Sequence, residues 1–349
     1  MDTNKNIFLK NKFWAIILVA QFSLFYILSK INFAVEFFSN FFEWKKNFHV
    51  LLFSRFSFSF GDVIYTLVSL YLIYAIINLI RKRRSKKWKQ ILIFLNVFYF
   101  IYQCFWGMLY FQTPIIKKLQ KKEFTDQDLK NLTIKYLKLC KETREKVSED
   151  NNGVFVINDF QEIEQEILSQ QKKVPTQITS KNSVRHLSVK SSLYSQLMNY
   201  TGILGYYNPF TAESQFNPNL PSTQVPFTLA HEMSHQLGFA REQEASFIAY
   251  LCAKDSNNPN LKYSTQLYVL KSLLRNLSVK NQSFVKEIIS QYSVKMKKDR
   301  MYEMQFLKDH ESILSDVFAF TNDLFLRSNQ QDGSVTYSYF ITLLVLYEA

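Results

Sequence analysis

His231 and His235 stand four residues apart, with Glu232 directly after the first, in a chain that has only five histidines (49, 186, 231, 235 and 310). On a helix, positions four apart share a face, so two imidazoles would aim at one point. Glu232 lies one step round, within reach of a water at that point. This is the arrangement of an HExxH zinc hydrolase: two metal-binding imidazoles and a general base from one turn of helix, with Zn²⁺ as the implied cofactor. Pro226 opens the segment and Gly238 closes it, as expected at the two ends of a helix.

A third ligand must come from beyond Gly238. A continuous helix would carry Glu242 about 16 Å along the axis from His231, too far to share a metal. A reversal is therefore needed, and Gly238 can supply it through left-handed geometry. Two acids follow, Glu242 and Glu244, on a second helical pattern with apolar positions at 245, 248, 249 and 252. A third histidine ten residues after the first is excluded, because Arg241 occupies that position and a permanent cation is no ligand. Glu244 has alternative partners in Arg241 or a ligand histidine.

The composition sets the frame for this site. The chain has 349 residues, is 47% hydrophobic and 16% aromatic, and can build a membrane part and a globular part. Three stretches, 13–31, 63–80 and 91–111, are long and apolar enough to cross a bilayer. Lys5, Lys10 and Lys12 before the first fit a retained signal-anchor. The net charge of +13 is concentrated beside these spans, which points to a membrane surface and not to nucleic acid. Seven basic residues in the loop 81–89 place it in the cytoplasm. Everything after residue 111 then lies on the side of the membrane away from the cytoplasm. Trp88 and Trp106 are expected as interfacial anchors, and Asn96 and Gln103 as polar groups facing another helix.

The aromatic segment 33–44 fits either a helix lying flat on the outer leaflet or one packed on the globular domain. A membrane anchor over 1–111 and an extracytoplasmic domain over 112–349 follow. The domain should hold helices from Thr125 and from Phe160, a strand within 184–194, and extended segments around Gly205 to Asn217. Tyr206, Asn208 and Glu213, just before the metal-binding helix, are candidates for substrate contacts. Tyr206, Tyr207, Tyr337, Tyr339 and His310 are candidates for a second oxyanion donor. Three scattered cysteines give no disulfide framework.

The chain resembles a family of bacterial membrane proteins catalogued as domain of unknown function 3810, a zincin-like group. The resemblance runs through Phe60-Gly61-Asp62, Phe105-Trp106-Gly107 with Tyr110, the 205–211 segment with Glu213, the 226–245 segment, and 333–339. It implies a mainly α protein: a three-helix transmembrane anchor followed by an α+β zincin-like domain with a small sheet and an HExxH helix. Glu242-x-x-Ala245-Ser246 also resembles the Glu-x-x-Ala-Asp signature of gluzincin-type HExxH peptidases, whose first Glu binds zinc. That favours Glu242 over Glu244. The family often has Asn where this chain has Ser246, which weakens a hydrogen-bonding role there. The expected activity is a zinc metallopeptidase acting on proteins or peptides of the cell envelope, with Glu232 as general base. The rival expectation is a non-catalytic zinc-binding sensor or envelope-assembly scaffold.

Overall fold

The computed structural model describes residues 11–82, 85–120, 122–329, 331–332 and 339–348. Lys5, Lys10, part of the basic loop, Tyr337 and most of the 333–339 segment lie outside them. The chain is mainly helical with one small sheet. It opens with α1 (Asn11–Leu28), α2 (Asn32–Phe53), α3 (Phe60–Lys82) and α4 (Ser85–Phe105). Among the described residues, two helices, Asn11–Leu28 and Phe60–Arg81, are long and apolar enough to cross a membrane. Their apolar side chains point outward, as lipid-facing side chains do. Gln21 and Asn96 join α1 to α4 by a 2.8 Å hydrogen bond, the role expected of Asn96.

The third expected span is broken. Helix α4 stops at Phe105, and Gly107–Phe111 continues as a tight 3₁₀ turn bent 46° away. Leu109 and Tyr110 are drawn into a core shared with the domain, Met108 packs with Phe25 and Val35, and a Cβ at Gly107 would push against the Gln103 amide. Trp106 is therefore no interfacial anchor, contrary to the sequence expectation. It is buried against Phe42 and Tyr207. Trp88 is exposed.

Helix α2 takes the second of its two expected places, packed on the domain. One face packs on the domain: Phe42 and Val50 are buried, Lys45 donates to the Pro209 carbonyl at 2.5 Å, and Lys46 donates to the Asn182 carbonyl at 2.9 Å. The other face leaves Phe33, Phe37, Trp44 and Phe48 exposed. Residues 42, 50, 106, 109 and 110 share a core with Tyr207, Ala212 and Ala240, so the anchor and the domain interpenetrate across residue 111.

The domain begins with α5 (Asp126–Arg144), closed by a Thr125–Asp128 capping box, and α6 (Phe160–Gln171), capped by Asp159. Next come β1 (Val189–Ser191), α7 (Ser195–Thr201), β2 (Gly205–Asn208) and β3 (Glu213–Phe216). The strand order is β1-β3-β2; β1 runs parallel to β3 and β2 antiparallel to it, with Gly205 opposite Phe216 and Asn208 opposite Glu213. Helices α8 (Val225–Leu237), α9 (Glu242–Lys254), α10 (Pro259–Ser278), α11 (Gln282–Ser290), α12 (Val294–Asp309), α13 (Ile313–Ser328) and α14 (Tyr339–Glu348) complete it. The core lies where α8, α9 and α10 meet α5, α14 and β3.

A polar seam joins the start of α3 to the sheet. The free backbone N–H groups of Phe60 and Gly61 donate to the Glu213 carboxylate at 3.1 and 2.6 Å, where a helix N-terminus favours negative charge. Asp62, fully buried, accepts from Ser192 Oγ, the Leu193 N–H and the Tyr206 hydroxyl. A Cβ on Gly61 would collide with the Asn208 side chain, with Cγ at 2.8 Å. Gly61→Ala should therefore cost about 1–3 kcal/mol of stability, as overpacking does. A melting temperature in detergent that is unchanged by the substitution would remove this seam from the fold's determinants.

Candidate metal centre

Helix α8 forms because Pro226 sits in its first turn, where a missing N–H costs nothing, and because Gly238 ends it at φ 104°. The Gly238 N–H donates to the His235 carbonyl at 2.8 Å and the Phe239 N–H to that of Ser234 at 3.3 Å. These two bonds close the last turn. His231 and His235 lie along one face with their rings edge to face, 4.7 Å between ring centres. The chain then reverses through Gly238 to Arg241, and α9 starts at Glu242.

This reversal returns Glu242, and not Glu244, to the imidazoles. Its carboxylate lies 3.1 Å from His231 Nε2 and 3.6 Å from His235 Nε2. Donor atoms of the three residues all fall within 4.8 Å of one another. Zinc bonds of about 2.0–2.1 Å at tetrahedral angles put neighbouring donors about 3.3 Å apart, so the spacing fits one zinc ion. The far sides of the rings fit as well. His235 Nδ1 donates to the Phe239 carbonyl at 2.6 Å, and His231 Nδ1 lies 3.1 Å from Ser246 Oγ, which also accepts from Tyr268. With Nδ1 occupied, each ring turns Nε2 inward, as the outer partners of metal-bound histidines do. Ser246 thus fills a hydrogen-bonding place although the family often has Asn there. Trp106 adds an edge contact to His235 at 5.8 Å.

Glu244 is engaged elsewhere. Its Oε1 accepts from Arg241 at 3.1 Å and from the Ile115 N–H at 2.8 Å, while Arg241 also donates to the carbonyls of Tyr110 and Gln112.

Glu232 is buried on the sheet side of α8, and its Oε2 makes no hydrogen bond among the described residues. Gly205 on β2 makes room for it: a Cβ there would stand 2.8 Å from Glu232 Cγ and 2.9 Å from Oε1. Burial, reinforced by the Glu242 charge, pushes the Glu232 carboxyl up to about 8. Burial would depress His235, but the adjacent Glu242 and Glu232 outweigh it and lift the ring to about 9. Glu242 is itself held well below the usual carboxylate range, because the two histidines overcome the penalty of burial. Burial lowers His231. The Glu242 charge therefore favours a proton on His235, and burial favours the neutral form of Glu232.

The other candidates fall into different places. Tyr206, Asn208 and Glu213 belong to the seam with α3: Glu213 and Asn208 are fully buried, the first on the Phe60 and Gly61 amides and the second capping Phe210 and Thr211, and Tyr206 holds Asp62. The structure gives each an internal partner in place of an open cleft. The Tyr207 hydroxyl is buried and makes no hydrogen bond among the described residues. Tyr339 donates to Asp332, and His310 packs between Tyr200 and Phe306. Of the residues that sequence reasoning missed, only Gly205 carried a local signal, a glycine where a backbone or side chain must come close. Trp106, Tyr268 and the Phe239 carbonyl reach the site through long-range packing.

The model of a family described as protein of unknown function (DUF3810) matches residues 37–345, and the chain belongs to that family. No curated protein and no solved structure matches it.

Purified protein should hold one zinc ion, measured by mass spectrometry of the metal. His231→Ala and Glu242→Ala should lose it, and Glu244→Ala should keep it. Ser246→Ala should weaken zinc about 10–100-fold, the usual effect of losing an outer partner. Retention by Glu242→Ala together with loss in Glu244→Ala would reverse the ligand assignment.

Proposed function

We propose that this protein is a membrane-anchored zinc metallopeptidase that hydrolyses peptide bonds in cell-envelope proteins or peptides. The observation that carries the reading is the convergence of His231, His235 and Glu242 on one point, beside the buried carboxylate of Glu232, whose Oε2 makes no hydrogen bond among the described residues. A structural zinc site is normally closed by four protein ligands, and a scaffold or sensor needs no base. Among the described residues the cluster offers three ligands. The basic loop at 81–89 supports a periplasmic domain on the bacterial inner membrane.

When bound, zinc supplies Lewis acidity towards water and towards the scissile carbonyl. The chain's own residues do the rest. Ser246 and the Phe239 carbonyl hold both histidines with Nε2 presented. Glu232 takes the proton of the attacking water and passes it to the leaving amine as the C–N bond breaks. His231, His235 and Glu242 would hold the ion, and its positive charge would favour the ionised form of Glu232 that burial disfavours. Strand β2 pairs only with β3 among the described residues, and Gly205 on it lies against Glu232.

Glu232→Gln should retain zinc and lose hydrolysis of a peptide library by about 10²–10⁴-fold, read by mass spectrometry of the products. Gly205→Ala should also keep zinc and lower activity by displacing Glu232. Unchanged cleavage by Glu232→Gln would sink the mechanism.

The raised His235 sets a pH dependence. A ligand protonated below about 9 must lose its proton to bind, so zinc affinity should rise with pH up to that value. Titration calorimetry in buffers of different ionisation enthalpy should record at least one proton released per zinc at pH 7. Zero release would mean that His235 is already neutral.

A further inference from the structure

Helix α13 carries apolar residues at Ile313, Val317, Phe320 and Leu324, the spacing of one helical face. In the folded chain these remain 81%, 50%, 65% and 51% exposed, and Leu326 is the only residue of the helix that is buried. So continuous an apolar face on a folded protein marks an interaction surface. Asp316 and Asp323 lie beside that face, and Arg327 stands at its C-terminal edge, where it pairs with Asp323.

The tethers of the helix say what covers it. Just past its C-terminus, Asn329 accepts from the Tyr102 hydroxyl at 3.0 Å, and Tyr102 lies in the last turn of α4. At its N-terminus, Ser312 donates to the Tyr200 carbonyl on α7. The residue before α7, Tyr194, touches the first turns of α3 through Thr66 and the Asp62 carbonyl. Leu193, Leu197 and Leu204 around α7 are exposed as well. Both ends of α13 are therefore fixed, directly or through α7, at the end of the apolar helices where α3 begins and α4 finishes.

We infer that α13 is an in-plane membrane helix, with Ile313, Val317, Phe320 and Leu324 seated in the lipid boundary of the leaflet in which α4 ends. An amphipathic helix of this composition lies with its apolar face among headgroups and upper acyl chains. Two acids against one base mean that apolar burial drives the seating, so anionic lipid is not required. Gln331, just beyond α13, accepts from the Glu242 N–H at 3.2 Å. The start of α9 is thereby linked to a membrane-seated element. The seating is independent of whether the metal centre hydrolyses anything.

The test uses the full chain in phosphatidylcholine nanodiscs, with Cys104→Ser and an environment-sensitive fluorophore on Phe320→Cys or Asn322→Cys. Both positions are exposed, so neither replacement removes packing. The probe at 320 should be blue-shifted and quenched several-fold more by shallow spin-labelled lipid than the probe at 322, which aqueous iodide should reach. Val19→Cys in α1 and Lys172→Cys in the domain serve as lipid and water controls. Iodide quenching at 320 without lipid quenching would show a free surface, and quenching by neither would show a protein cover. Either result overturns the inference.

Discussion

The reversal at Gly238 is the constraint on which the site depends. Its φ is 104°, a region in which only glycine is at ease. A Cβ there would stand 2.8 Å from the Phe42 ring and 2.9 Å from Lys181 Nζ. Without that turn, Glu242 would travel away from His231 along the axis of α8. The turn is also gripped by segments from the membrane-proximal part of the chain. Lys46 reaches the Leu237 carbonyl, Gln112 donates to that of Gly238, and Arg241 clamps the carbonyls of Tyr110 and Gln112. Cations at the C-terminal end of α8 are also where the helix dipole favours them. The residues that anchor the protein thus hold its chemistry in register.

The same compactness explains the electrostatics. Two carboxylates and two imidazoles share a buried volume, and each alone would be driven towards neutrality. A proton on His235 would offset the Glu242 charge, and a dication held there would satisfy both imidazoles and the carboxylate at once. Structural purposes elsewhere in the domain are met differently. Arg144 and Asp299 form a bidentate pair that Tyr263 joins by donating to the carboxylate, so both oxygens of Asp299 are engaged in charge-assisted bonds. Glu232 Oε2, in contrast, is buried and makes no hydrogen bond among the described residues.

How much of this is legible in the sequence follows from the range of each interaction. His231, Glu232 and His235 are separated by single helical steps, so their spacing alone defines a face. The capping box at Thr125, the helix from Phe160 and the need for a reversal at Gly238 are equally local. Glu242 and Glu244 cannot be separated that way. They point to nearly opposite sides of α9, and which side meets the histidines depends on the dihedral angles of the turn. Ile115, 129 residues before Glu244 in sequence, decides the matter by donating to it. Tyr206, Asn208 and Glu213 have side chains suited to a cleft, and the sequence holds no sign that residues 60–62 claim them. Trp106 reads as an interfacial anchor because its neighbours are apolar, whereas the break after Phe105 turns it towards His235.

The seam between α3 and the sheet carries the argument one step further. Glu213 holds the first amides of α3, and the next residue, Ser214, donates to the Glu232 carbonyl at 3.1 Å. Opposite them, β2 brings Gly205 against the Glu232 side chain through its pairing with β3. The path from a membrane-entering helix to the proposed base is therefore two residues of one strand. A buried carboxylate that has lost the Phe60 and Gly61 amides would be left as an uncompensated charge, a cost of several kcal/mol in a buried setting. The strand carrying Glu213 is thus stable in its present register when α3 is docked. The domain from residue 112 onward, cut free of residues 1–111, would lose at one stroke the amides that hold β3, the Trp106 ring beside His235, the Phe42 ring against Gly238, and the Tyr110 carbonyl that helps to fix Arg241.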